Sequence, residues 1–448
     1  MSDALALPPR PNLEQYKKLA KDFQHACQSG DEGAIRNWAA RWAATLARLN
    51  GPAATPGVQR EIGWDAERVL RQWHKLRTSN EGLAGCTLSG AQFLVARCHG
   101  FTSWPKFVEH LEALARANSP VSQFERAADA IVNGDLASLE KLLRENPELA
   151  RARSTREHAS TLLHYVSANG IEDFRQKTPA NIVAIARLLL DARADVNAES
   201  DAYGGRSTTF GLTATSVHPE KAGLQLPLLE LLISRGAVID GPDGASAVVG
   251  CLRNGRGDAA EFLARHGARL DLEGAAGVGR LDVVQRFINE DGSLTPPATP
   301  KQMKDGFAWA CQFGRTAVVD FLLRHGTGID AKLPHHGQTG LHWAAYGGHA
   351  DTVRLLLERG APVGARDESF DGTALEWAVY AWGNSHEQTV SNEQSGRDDY
   401  GVVAMLVAAG AKLDANWFEV DDEERRRASR KLNADPHMQA ELRGGIPN

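Results

Sequence analysis

The chain lacks every short signature by which a catalytic or metal-binding protein announces itself. Its five cysteines, Cys27, Cys86, Cys98, Cys251 and Cys311, are scattered, odd in number and form no Cys-x-x-Cys pair. That argues against a disulfide framework or a zinc knuckle and predicts buried, reduced thiols. No Gly-x-x-x-x-Gly-Lys-Ser/Thr, Gly-x-Ser-x-Gly or His-Glu-x-x-His segment occurs, so no enzyme activity and no cofactor are expected. There is no excess of positive charge. Fifty Lys and Arg face 56 Asp and Glu, a net charge of −6, which speaks against a phosphate-driven nucleic-acid binder. No uninterrupted apolar run approaches the ~18–20 residues that span a bilayer. The opening Met1-Ser-Asp-Ala-Leu-Ala-Leu-Pro-Pro-Arg10 has no cationic start followed by an apolar stretch, so no signal peptide is expected, no membrane partner, and a cytoplasmic location.

What the chain does have is a period. Trp309 and Trp343 lie 34 residues apart, as do Gly314 and Gly348, Gly326 and Gly360, and Thr339 and Thr373. A fixed period near 33 residues marks stacked repeats, each too small to bury its own apolar face. The clearest copy runs Thr339-Gly-Leu-His-Trp-Ala-Ala-Tyr-Gly-Gly-His349 and then Val353-Arg-Leu-Leu-Leu-Glu-Arg-Gly-Ala361. It reads as a helix, a Gly turn, a second helix and a Gly stop.

The Thr-x-Leu-His start, the Ala-Ala pair, the Gly-His turn, the Leu-Leu-Leu run and the Gly-Ala ending resemble the ankyrin repeat. Position 340, usually Pro in that family, is Gly here. Weaker copies extend the resemblance to roughly residues 122–416. It implies an all-α fold, an ankyrin-like α-solenoid of about eight helix-turn-helix repeats, and a function in protein–protein recognition. The Pro-rich opening and the run from Ala91 to Pro105 are similar to the helical leader of many bacterial ankyrin proteins, which implies a bacterial source.

Three segments are predicted: a small helical domain over 1–118, the repeat solenoid over 122–416, and a capping helix and tail over 417–448. In the first, Leu13 to Cys27, Trp38 to Leu46, Trp64 to Trp73, Phe93 to Arg97 and Phe107 to Leu114 fall at helical spacing. Its five Trp read as core. The second repeat opens at Thr161-Leu-Leu-His164 and carries an insertion over Ile171–Thr178. The third has an enlarged loop from Tyr203 and a degraded first helix. Gly279-Arg280 follows Gly255-Arg256 by 24 residues, so the finger between repeats four and five is nearly absent. The eighth repeat carries a polar insertion from Asn384 to Asp399. From Asp421 an acidic start running into Arg425-Arg-Arg427 suits a helix macrodipole, and such a helix would cap the last repeat.

Among chemical candidates, His335, His336, His342 and His349 are the densest histidine group. The repeat frame puts His342 in the Thr-x-Leu-His slot and the others apart, so no metal site is expected. Gly274-Ala-Ala-Gly277-Val-Gly279 lacks a preceding strand and reads as close packing. Trp309, Trp343 and Trp377 share one repeat slot and are expected to stack between repeats. The positions left for a partner protein, on the concave face that the resemblance implies, are Lys301, Lys304, Gln312 and Phe313 in the sixth repeat, His335, His336, Gln338 and Tyr346 in the seventh, and Phe370, Tyr380 and Trp382 in the eighth. Aromatics weigh heavily there because they bury much area with few rotors. The expected function is a non-catalytic protein–protein interaction scaffold. The alternative is a small-molecule or nucleotide sensor, or an enzyme-regulatory subunit, with a cleft where the helical domain meets the irregular second and third repeats. A perturbed titratable cluster there would favour it.

Overall fold

The computed structural model describes residues 4–50, 56–78, 86–241, 245–332, 337–384, 397–414, 417 and 423–443. The chain forms two compact units, Met1–Pro242 and Asp243–Asn448. The described residues are overwhelmingly helical, with a single two-stranded ribbon.

The first unit begins with five helices: α1 (Leu13–Gln28), α2 (Glu32–Asn50), α3 (Pro56–Thr78), α4 (Leu88–Cys98) and α5 (Trp104–Leu114). They form where the helical spacing predicts. Tyr16, Ala20 and Phe23 of α1 meet Trp38 and Trp42 of α2, Trp73 of α3, Leu94 of α4 and Phe107 of α5 in one core. Trp64 departs from the core reading: it is 62% exposed on α3. Cys27 and Cys86 also depart from expectation. They are joined in a disulfide, with Cα atoms 5.6 Å apart. A separation of 59 residues gives no spacing signal, and only the packing of α1 beside α4 brings the two ends together. Cys98, Cys251 and Cys311 are buried thiols outside any disulfide, as predicted.

Repeats follow. The first is α6 (Pro120–Asn133) and α7 (Leu136–Glu145). The first helix of the second is only a 3-10 turn, Leu162–Ser167, followed after the insertion by α8 (Ile182–Asp191). The enlarged loop of the third is a ribbon, β1 (Glu199–Ser200) antiparallel to β2 (Ser207–Thr208), with Glu199 opposite Thr208. Its degraded first helix is α9 (Thr209–Thr215); α10 (Val217–Lys221) and α11 (Gln225–Ser234) complete it.

The second unit is more regular. First helices α12 (Ala247–Arg253), α14 (Leu272–Gly277), α16 (Pro300–Gln312), α18 (Gly340–Gly347) and α20 (Ala374–Asn384) pack side by side. Second helices α13 (Gly257–Arg265), α15 (Leu281–Val284), α17 (Thr316–Arg324), α19 (Ala350–Glu358) and α21 (Asp399–Ala408) form a layer behind them. Leu341, Ala344, Ala345, Val353 and Leu356 are buried between the layers. Six residues separate α13 from α14, which leaves no finger. The small residues there serve close packing: a Cβ at Gly277 would stand 2.3 Å from Leu252 and 3.1 Å from Trp309. Two helices, α22 (Glu423–Ala434) and α23 (Pro436–Leu442), close the stack by packing on α20 and α21.

One device recurs at the start of the first helices. A Thr at the N-cap and a polar residue three positions on satisfy each other's backbone N–H groups. The pairs are Thr161–His164, Thr299–Gln302, Thr339–His342 and Thr373–Glu376. The Nδ1 of His342 accepts from the Thr339 N–H at 3.1 Å, and its Nε2 donates to the Gly372 carbonyl at 3.1 Å. The histidine thus ties its repeat to the next one. Where Glu376 replaces it the polarity reverses, and its carboxylate accepts from the Asp414 N–H at 3.3 Å.

Candidate recognition face

The first helices of the second unit carry a continuous aromatic ladder. The rings of Trp309 and Trp343 are 6.0 Å apart, and those of Trp343 and Trp377 are 5.4 Å apart. Tyr346 sets its edge against both Trp343 and Trp377, at 6.2 and 5.7 Å. Phe370, on the finger before α20, meets Trp377 at 6.3 Å. The three Trp stack between repeats, as a large residue recurring at one slot predicts. All three are only half-buried, however, and so is Tyr346. Phe370 is 64% exposed. The scaffold ladder is therefore also a surface.

Polar partners fix the ladder. The Trp309 indole N–H donates to Glu273 at 3.0 Å, and the buried Glu273 is held by Arg253 at 3.2 Å. The Trp377 indole donates to Asp367 at 3.0 Å. Asp367 does more than that. One of its oxygens accepts from the Ser369 and Phe370 N–H groups, both at 2.8 Å, and the other from the Gly372 N–H at 2.9 Å. Burial raises its pKa, but these donors outweigh burial and hold the carboxyl below its usual range. This one carboxylate shapes the finger that presents Phe370. Sequence reasoning passed it over, although an Asp opening an Asp-Glu-Ser-Phe-Asp-Gly segment is an Asx-turn signal.

The structure sorts the predicted contact residues. Lys301 is exposed and paired with Asp305, and Lys304 is half-buried. Phe313 lies against the Gly257 backbone, half-buried. The carbonyl of the half-buried Gln312 accepts from His349 Nε2 at 2.8 Å. Burial lowers the His349 pKa to about 4, so this histidine is a neutral strut between α16 and α19. Gln338 is 2% exposed and Trp382 3%. Trp382 is buried beneath α22, with the Lys431 ammonium 4.6 Å from its ring centroid. Neither remains on the face. Tyr380 is half-buried and donates its hydroxyl to Glu424 of the capping helix. His335 and His336, and positions 385–396 of the last insertion, lie outside the described residues.

The first unit holds the perturbed cluster that sequence reasoning looked for. Glu125 of α6 meets Arg156 at 2.5 Å and Arg175 at 2.8 Å. Glu172 meets Arg156 at 3.0 Å and Arg175 at 3.3 Å, and accepts from the Tyr165 hydroxyl at 3.2 Å. Asp129 completes the network on Arg175 at 2.6 Å. Burial pushes the Glu125 carboxyl up, but the two guanidiniums outweigh it and hold it at about 2. Three carboxylates thus share two guanidiniums, and four of the five groups are buried. The network pins the insertion that begins at Ile171 onto α6.

A family model described as ankyrin repeats (3 copies) matches residues 272–367 and 307–391. Among solved structures, the crystal structure of the human ASB11 ankyrin repeat domain is similar at 18% identity over 64% of this chain and 99% of that one, with a TM-score of 0.30, too loose to carry any argument. No curated protein matches the chain. The matched span holds α14 to α20, the helices that build the ladder. Residues 272–391 of this chain thus match the ankyrin-repeat model.

Proposed function

We propose that the chain is a non-catalytic recognition module whose partner is a protein, gripped on the first-helix face of residues 272–391. Ankyrin repeats are in general protein–protein interaction modules, which sets the class. One observation supports this particular face: the half-exposed ladder of Trp309, Trp343, Tyr346 and Trp377 ending in the exposed Phe370. Aromatics held rigid by their own stacking lose little entropy when a partner covers them, so more of the contact energy appears as affinity. Lys301, Lys304 and Phe313 lie along the same row of first helices.

The test is affinity capture from the native cell with the wild-type chain and with Tyr346→Ala/Phe370→Ala side by side, followed by titration of the captured partner in purified form. Hot-spot aromatics carry about 2 kcal/mol or more each. The double variant should therefore weaken the complex by well over tenfold, with helical content intact. A complex of unchanged affinity removes the aromatic face from the assignment.

A further inference from the structure

The first unit contains a cavity of about 530 Å³ that the recognition face does not use. That volume is within the ~300–1,000 Å³ typical of small-molecule sites. One wall is α3. Arg68, Arg71, Gln72 and Lys75, at helical spacings of three and four, turn toward the cavity, while Leu70, Trp73 and Leu76 of the same helix enter the core. The opposite wall is the tip of the β1–β2 ribbon, Asp201 to Gly204, beside His158 of the second repeat. The end of α4 and the Ala4–Leu5 strap close the floor, with the Leu5 N–H donating to the Cys98 carbonyl at 2.7 Å.

Among the described residues, two of the four cations that line this cavity are not held in ion pairs. Arg68 is paired with Asp65 and Asp173, and Arg97 with Glu157 at 2.9 Å. Arg71 and Lys75 have no ion partner among the described residues, and Asp201 is the one further acid in the lining. The Gln72 amide makes no hydrogen bond with a described residue, so it can rotate into the cavity without breaking one. The ribbon tip is strained. Tyr203 and Arg206 hold φ at +53° and +59° around two glycines, although neither residue type favours that region. Strain of this kind concentrates at ligand clamps. It presents the Tyr203 ring, 57% exposed, at the mouth, while its hydroxyl donates to Asn169 at 2.6 Å.

We propose that this cavity binds a small phosphorylated polyol or sugar. A phosphomonoester carries close to two negative charges at neutral pH, which suits the two unpaired cations better than a single carboxylate does. Asp201 accepts from hydroxyls of the ligand, Gln72 donates to its oxygens, and the Tyr203 face covers its carbon skeleton. Nothing in this site depends on the aromatic ladder, so the two assignments stand or fall separately.

The experiment is isothermal titration of the full chain with glucose 6-phosphate, inorganic phosphate and glucose at matched ionic strength, repeated on Arg71→Ala/Lys75→Ala and on Tyr203→Ala. Arg71 and Lys75 are both exposed, so the double variant should fold as the wild type does. Saturable binding of glucose 6-phosphate, at least tenfold weaker in the double variant and absent for glucose, is the expected result. Weaker binding in Tyr203→Ala, with inorganic phosphate unaffected by that change, would assign the ring to the carbon skeleton. The proposal is overturned if neither phosphate compound binds saturably, or if the double variant binds as the wild type does.

Discussion

Acidification from pH 7 to pH 5 is expected to remove about 6 kcal/mol of folding stability from residues 4–241, through three buried imidazoles. His99 is enclosed by Tyr16, Trp42 and Phe107, with ring centroids 5.2 to 5.6 Å away, and its Nδ1 donates to the Leu5 carbonyl at 2.9 Å. Burial lowers its pKa to about 3. His110, bonded to Thr155, and His164, in the capping pair with Thr161, are both lowered to about 4, again chiefly by burial. The folded values lie below the ordinary ~6.5, so the unfolded chain takes up protons that the folded chain refuses. The stability these groups contribute is full above about 6.5 and falls as pH drops toward the folded values. Each loses about 1.4 kcal/mol per pH unit, or roughly 2 kcal/mol by pH 5. Three together approach the whole ~5–15 kcal/mol of an ordinary domain. Urea denaturation at pH 7, 6 and 5, with pulsed hydrogen exchange read on peptides of α4 and α5, measures this unit alone. His99→Gln should cut the pH-dependent part by about one third. A stability that changes by less than about 1.5 kcal/mol across the range, or a slope that His99→Gln leaves untouched, would refute the reasoning.

Two further outcomes follow from single features. Reduction of Cys27–Cys86, which closes a loop of about 60 residues, should destabilise the first unit by roughly 2–4 kcal/mol. Cys27→Ser/Cys86→Ser should melt where the reduced wild type does, with or without dithiothreitol, and a wild-type melting curve indifferent to reductant would contradict the crosslink. Asp367→Ala strips four donors of their acceptor, among them the N–H of the buried Gly372, so a loss of about 2–3 kcal/mol is expected in chemical denaturation of the second unit. It should also weaken partner binding as Phe370→Ala does, because the finger loses its shape; a variant within about 0.5 kcal/mol of wild type would show that the finger holds itself.

The repeat register was legible because it is written in local terms. Apolar spacing, Thr caps and Gly stops act within a few residues, and they place α16 to α19 where the period predicts. The near-absent finger between α13 and α14 was legible for the same reason: a 24-residue interval leaves no room for one. The disulfide was not, because Cys27 and Cys86 meet only through the packing of α1 beside α4. Trp64 misled for a related reason: helical spacing says which residues share a face, not which face is covered.

The candidate sites were legible in unequal measure, and the reason is how far apart their parts lie in the chain. The exposure of Tyr346 and Phe370 could be read because a repeat frame assigns each position a side. The same frame misplaced Trp382 and Gln338: it describes a repeat between two similar neighbours, whereas Trp382 is covered by the capping helix α22. The ion network shows the limit most clearly. Glu125, Arg156, Glu172 and Arg175 span 50 residues, and each alone reads as an ordinary surface charge. Buried together, they give up the hydration of four charges, a cost their mutual attraction repays only in good geometry. In general, well-packed hydrophobic residues of similar volume serve stability about as well as a buried ion pair. What the network adds is a demand on position. Removing either Glu leaves two buried guanidiniums facing one carboxylate of the buried pair, so the chain from Ile171 has one docking register on α6. That register also fixes Asp173, which holds Arg68 of α3 at the cavity wall.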